Sequence, residues 1–113
     1  MELTYREFLK EESKKYKEFI QSDIQSLVRL YEKGESILTK EYIDLIAESS
    51  KFIENYGVST IDFHDELTKT LDVLESNNMN SEVIKILASI HRKLSNSINV
   101  IAHKIKDYER DLY

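Results

Sequence analysis

The residues best equipped for chemistry are few. The 113-residue chain holds three histidines, His64, His91 and His103, and no cysteine. A thiolate nucleophile, a thiolate metal site and a disulfide framework are therefore excluded. His64 sits in Asp62-Phe63-His64-Asp65-Glu66, where imidazole and carboxylates supply the ingredients of a transition-metal site. Their spacing works against one. Asp62 and Glu66, four apart, share a helix face that His64 does not. His91 and His103 are twelve residues apart, roughly 18 Å along a helix and too far to chelate one ion. The Glu-x-x-His pairs of di-metal bundles do not occur. With two glycines in all there is no glycine-rich phosphate loop, and no Ser-His-Asp set can be argued from spacing. No catalytic residue, cofactor or metal is expected, and the chain reads as a non-enzyme.

His91 has one further reading. A helix-borne histidine in a small helical bundle resembles the histidine phosphotransfer domains. His91-Arg92, followed by Asn96-Ser97-Ile98-Asn99-Val100-Ile101, is similar to the dimerisation helix of sensor histidine kinases. The resemblance implies an exposed imidazole that accepts a phosphoryl group, with a nearby lysine steadying its charge. The phosphotransfer pattern departs from this chain one residue beyond the histidine. It places an apolar residue, a lysine and a glycine there, where this chain has Lys93, Leu94 and Ser95. The chain is also too short to hold an ATP-binding domain. A histidine beside Ile90 at the edge of a packed face is the simpler account.

The elements that position these residues read as helices throughout. Leu3, Phe8, Leu9, Tyr16, Phe19, Ile20, Ile24, Leu27, Val28 and Tyr31 recur at helical spacing. This predicts helix 1 over about 4–33, closed by a left-handed cap at Gly34. Thr39 is an N-cap for helix 2, about 39–56, which Gly57 closes. Ser59-Thr60-Ile61-Asp62 resembles a capping box that opens helix 3, about 59–76. Asn77-Asn78-Met79-Asn80-Ser81 is a polar break. Helix 4, about 81–112, has the cleanest stripe, Val83, Leu87, Ile90, Leu94, Ile98, Ile101, Ile105, Tyr108 and Leu112, whose mean spacing near 3.6 predicts a nearly straight helix.

One domain over residues 1–113 follows, an all-α antiparallel four-helix bundle with two long helices (1 and 4) and two short ones (2 and 3). Helices 1 and 4 run to roughly 45 Å and helices 2 and 3 to roughly 26 Å. The short pair covers one end of the long pair and leaves a two-helix stub, about 3–16 against 98–112. Leu3, Phe8, Leu9, Ile98, Ile101, Ile105, Tyr108 and Leu112 lie on it, and an apolar patch of that kind marks an interface. The expectation is a homodimer through the stub. The alternative is a helix 1 that breaks near residues 10–15 and folds back over the stub.

Charge is unevenly distributed. The net is −5, with 16 basic and 21 acidic side chains. Residues 2–33 are neutral overall, and residues 35–76 carry ten acids against three bases. Between Glu82 and Asp107 there is no acid, only Lys85, Arg92, Lys93, Lys104 and Lys106 with His91 and His103. The simplest reading neutralises this stretch against helices 2 and 3. The alternatives are a face for an acidic partner, or for nucleic acid, with Ser95, Asn96, Ser97 and Asn99 as further phosphate contacts. An acidic chain with no arginine cluster makes nucleic acid the weaker of these. No window of 18 apolar residues spans a membrane and the N-terminal residues lack a signal-peptide pattern, so a cytoplasmic protein is expected. Protein–protein interaction in a small regulatory role is the function class that remains, as a homodimer or with another protein.

Overall fold

The computed structural model describes residues 3–111. It is an antiparallel four-helix bundle with one arm in two pieces: α1 (Tyr5–Glu32), α2 (Lys40–Ala47), α3 (Ser50–Glu54), α4 (Val58–Ser76) and α5 (Ser81–Asp111). No strand forms among the described residues. The molecule measures 53 × 24 × 18 Å, so the long helices α1 and α5 set its length.

Local chemistry explains most helix ends. The Thr4 hydroxyl accepts from the Glu7 amide at 3.1 Å and caps α1. The Thr39 hydroxyl does the same for the Tyr42 amide, satisfying one of the orphan donors of α2. Gly34 takes φ +71° just beyond α1, while the Glu35 amide reaches back to the Leu30 carbonyl at 2.8 Å. This closure needs a left-handed residue and suits glycine. Asn78 and Asn80 turn the chain before α5 with φ 50° and 51°, a conformation asparagine tolerates better than most residues. The Asn80 side-chain amide then donates to the Glu35 carbonyl at 2.8 Å and ties the two loops at that end together.

Helix 1 is continuous as expected, and the alternative break near residues 10–15 does not occur. Two expectations are corrected. The second arm is not one helix over 39–56. It stops at Ala47 and restarts at Ser50. Gly57 does not close that arm in a left-handed conformation. Its backbone is extended at the N-cap of α4, which begins at Val58 and places Ser59 and Thr60 inside the first turn. Thr60 is buried there and donates its hydroxyl to the Phe52 carbonyl, tying α4 to α3.

The break in the second arm has a physical cause. The Ser49 hydroxyl donates to the Ile46 carbonyl at 2.6 Å and lies 2.7 Å from the Tyr16 hydroxyl. The Ser13 hydroxyl donates to the Ser50 carbonyl at 2.7 Å. Serine side chains compete with the helical ladder for backbone groups, and here α1 supplies partners for the resulting turn. Tyr16 is completely buried. Burial chiefly, then nearby Asp23, pushes its phenol up to about 12, against the opposing effect of the Ser49 bond.

The core runs the length of the bundle. Tyr16, Ile20 and Leu27 of α1 meet Ile43, Ile46, Ile53, Leu67 and the α5 stripe Val83, Leu87, Ile90, Leu94 and Ile101, all essentially without exposure. Leu94→Ala is expected to cost about 2–5 kcal/mol in a urea melt, because a cavity opens where the side chain is fully enclosed. Tyr16→Phe is expected to cost about 1 kcal/mol, since Ser49 keeps its carbonyl acceptor. Val73→Ala, at a position 58% exposed, should stay within about 0.5 kcal/mol of the parent.

Candidate interaction surfaces

The helices hold definite registers that decide which residues meet. Tyr5 and Phe8 of α1 face Tyr108 of α5, and Asp23 faces Lys93. His64 and Thr68 of α4 face Ser95 and His91 of α5. On this register α4 begins level with Ile101, and α5 continues beyond it for two to three more turns beside the start of α1, with Tyr56 at the end of the second arm within electrostatic reach of Tyr5.

That two-helix end is smaller than the sequence implied. Leu9 and Ile101, expected on an open stub, are 6% and 0% exposed and belong to the core. They are corrected from surface to interior, because the α3 arm and the start of α4 reach far enough to cover them. Ile98 is half-buried and packs on the same core. Leu112 lies outside the described residues. Leu3 is exposed, while Phe8, Ile105 and Tyr108 are half-buried. Tyr5 joins them, although its helical spacing to Phe8 and Leu9 was available in the sequence. The Tyr5 and Tyr108 rings meet edge-on with centroids 5.2 Å apart, and the Tyr108 hydroxyl donates to the Leu3 carbonyl at 2.8 Å. A hollow of about 410 Å³ remains, lined by Tyr5, Ile105, Tyr108 and Glu109. Burial first, then Tyr56 and Glu109, raises the Tyr5 phenol above its ordinary range.

The five basic residues of α5 do not form one face. Lys93 is drawn into the α1–α5 seam. Its ammonium donates to Asp23 Oδ2 at 2.7 Å and to the Phe19 carbonyl at 2.8 Å, and Ser89 donates to the same carboxylate oxygen at 3.1 Å. Neutralisation against helices 2 and 3 is not what the structure shows for this lysine, whose counter-charge is on α1. Lys104 stands 4.0 Å from Asp107 on its own helix. Lys85, Arg92 and Lys106 are exposed and have no ion pair among the described residues.

His91 and His64 come together, which neither spacing nor periodicity indicated. Their rings lie 4.6 Å apart and tilted by 31° across the α4–α5 seam. His91 Nε2 is 2.8 Å from the Thr68 hydroxyl, and His64 Nε2 is 2.8 Å from the Ser95 hydroxyl. His64 Nδ1 lies 3.9 Å from Asp65. The Thr68 hydroxyl donates to the His64 carbonyl, so His91 Nε2 is the donor in its bond to Thr68, and the ring is half-buried rather than exposed as the phosphotransfer resemblance implied. Stacked rings do not converge on one ion, and among the described residues no group of three His, Asp or Glu is placed to hold a metal. His103 is exposed and remote from both.

A groove opens on the side of the bundle where the second arm and α4 face each other. Tyr42 bridges its upper end with a hydrogen bond to Thr70 at 3.2 Å, and Phe52 meets Phe63 with centroids 5.5 Å apart. Between them lies a hollow of about 490 Å³, floored by Tyr42, Leu45, Phe52 and Phe63 and edged by Asp62 and Glu66. No family model matches the chain, and no curated protein or solved structure does so either.

The histidine pair makes stability depend on pH. Burial, then electrostatic repulsion from the neighbouring His64 ring, lowers the His91 pKa below its usual 6.5, with Asp72 opposing. A histidine with a lowered folded pKa binds fewer protons folded than unfolded in the window below 6.5. Its contribution is therefore intact above that value and is lost as the pH falls through it. The urea midpoint should fall between about pH 7 and about pH 5.5, and His91→Gln should flatten that fall. Equal slopes in the two proteins would remove His91 as the cause.

Proposed function

We propose that this chain is a small non-enzymatic interaction protein that acts as a homodimer through its two-helix end. One observation carries the reading: α1 and α5 continue past the start of α4 as a pair, with Leu3, Tyr5, Phe8, Ile105 and Tyr108 on the inner faces that a third and fourth helix would cover. Two such ends, one from each copy, complete a four-helix cross-section. Burial of these side chains at about 25 cal/mol per Å² is the driving force. The hollow beside Tyr5 and Tyr108 offers a place for a side chain from the second copy.

The competing readings have less support. Nucleic acid would be left with Lys85, Arg92 and Lys106 once Lys93 is held by Asp23 and Lys104 stands beside Asp107. Phosphoryl transfer calls for an exposed imidazole, and the His91 ring is half-buried against His64.

Light scattering after size-exclusion chromatography tests the dimer. A mass of twice 13.3 kDa at low and high salt is expected, since apolar burial is little screened. Ile105→Asp should return the mass of one chain with the helical circular dichroism unchanged. A single-chain mass for the parent protein across the concentration range would end the proposal.

A further inference from the structure

The groove between the second arm and α4 has features the dimer does not use. A four-helix bundle normally closes all four sides by helix packing. Here three sides close: α1 against α5, α1 against α2 and α3, and α4 against α5. On the fourth side α3 meets α4 at Phe52, Thr60 and Phe63, while α2 is joined to α4 through the long side chain of Tyr42. Leu45 stands 42% exposed in the gap.

The gap pairs an apolar floor with an acidic edge. Asp62 and Glu66, one turn apart on α4, line one side. Glu41 of α2 and Glu48 at its C-cap are exposed and lie four and three residues from Leu45. The bases nearby are weakly committed. Lys51 is 3.6 Å from Glu48 and Lys69 is 4.0 Å from Glu66, both in exposed pairs that contribute little. The groove lies in the segment 35–76, which carries ten acids against three bases. A strip of aromatic and aliphatic side chains between carboxylates is complementary to a helix with one apolar face and lysine or arginine along its flanks.

We propose that this groove docks a basic amphipathic helix of another protein. A second copy is a poor occupant. The one cationic segment of this chain, α5, has its apolar stripe Val83, Leu87, Ile90, Leu94 and Ile101 at 0% exposure in its own core. Ile105 and Tyr108, which it leaves outside that core, lie at the two-helix end, away from the groove. The surface is separate from the two-helix end, so both can be occupied at once.

The probe is a fluorescein-labelled synthetic helix with leucines at i, i+3, i+4 and i+7 and lysines elsewhere, titrated with the full chain by anisotropy. Saturable binding is expected, weakening as salt is raised. A scrambled peptide of the same composition should bind at least about tenfold more weakly, because it lacks the apolar face. Leu45→Ser, and separately Asp62→Lys with Glu66→Lys, should each weaken binding about tenfold, and all three positions are exposed enough to leave the fold intact. Ile105→Asp should bind as the parent does, which separates this surface from the dimer. Three results would overturn the proposal: no saturable binding at low salt, equal binding of the scrambled peptide, or affinity unchanged by the groove variants. A dimer in light scattering that Leu45→Ser dissolves would overturn it as well, by showing a second copy in the groove.

Discussion

The antiparallel pairing of α1 with α5 is the constraint on which the rest of the molecule depends. The two helices are the longest elements and run side by side for nearly their full length. Their apolar stripes alone would permit a slip of one turn, because isoleucine and leucine recur along both. The polar contacts at the seam specify the match. Lys93 meets Asp23, Ser89 supports the same carboxylate, and Lys93 also bonds the Phe19 carbonyl. The pair is mostly shielded from water. A shifted register would leave two charges in the seam without partners, which is far costlier than losing an apolar contact.

Given that spine, the second arm and α4 are fitted onto it, and their lengths decide what stays open. The arm must follow α1 back from Gly34 while its apolar residues face inward. Ser49 and Ser50 divert hydrogen bonds to Tyr16 and Ser13, and the arm turns rather than continuing as one helix. That turn brings Ile53 into the core and carries the chain far enough to bury Leu9 and Ile101. The cost is a loose fourth side, where α2 reaches α4 through Tyr42 and only α3 meets it more closely, through the Phe52–Phe63 contact and the Thr60 hydrogen bond. The two open features of the molecule, the two-helix end and the acidic groove, thus have one origin in the mismatch between long and short arms.

Charge follows the same logic. The basic stretch of α5 looks like a unit along the sequence, but helical geometry distributes it. Lys93 turns toward α1, Lys104 pairs within its helix, and Lys85, Arg92 and Lys106 remain outward. The histidines behave in the opposite way. His64 and His91 are 27 residues apart in sequence and stack across a helix seam, each bonded to a hydroxyl of the facing helix.

Much of this was legible in the residues themselves. The helical class, the long-short-short-long arms, the caps at Thr39 and Gly34 and the inward stripe of α5 all follow from local periodicity and capping chemistry. These are properties of neighbours within a few positions, so a sequence displays them directly. The partner of Lys93, the split of the second arm, the burial of Leu9 and Ile101, the stacking of His64 on His91 and the open groove depended on which helix lay beside which, and in what register. A side chain at a helix surface carries no mark of what it will face. That is decided only when the arms are packed, because the energy of a buried charge, an imidazole or a serine hydroxyl belongs to the pair and not to the residue.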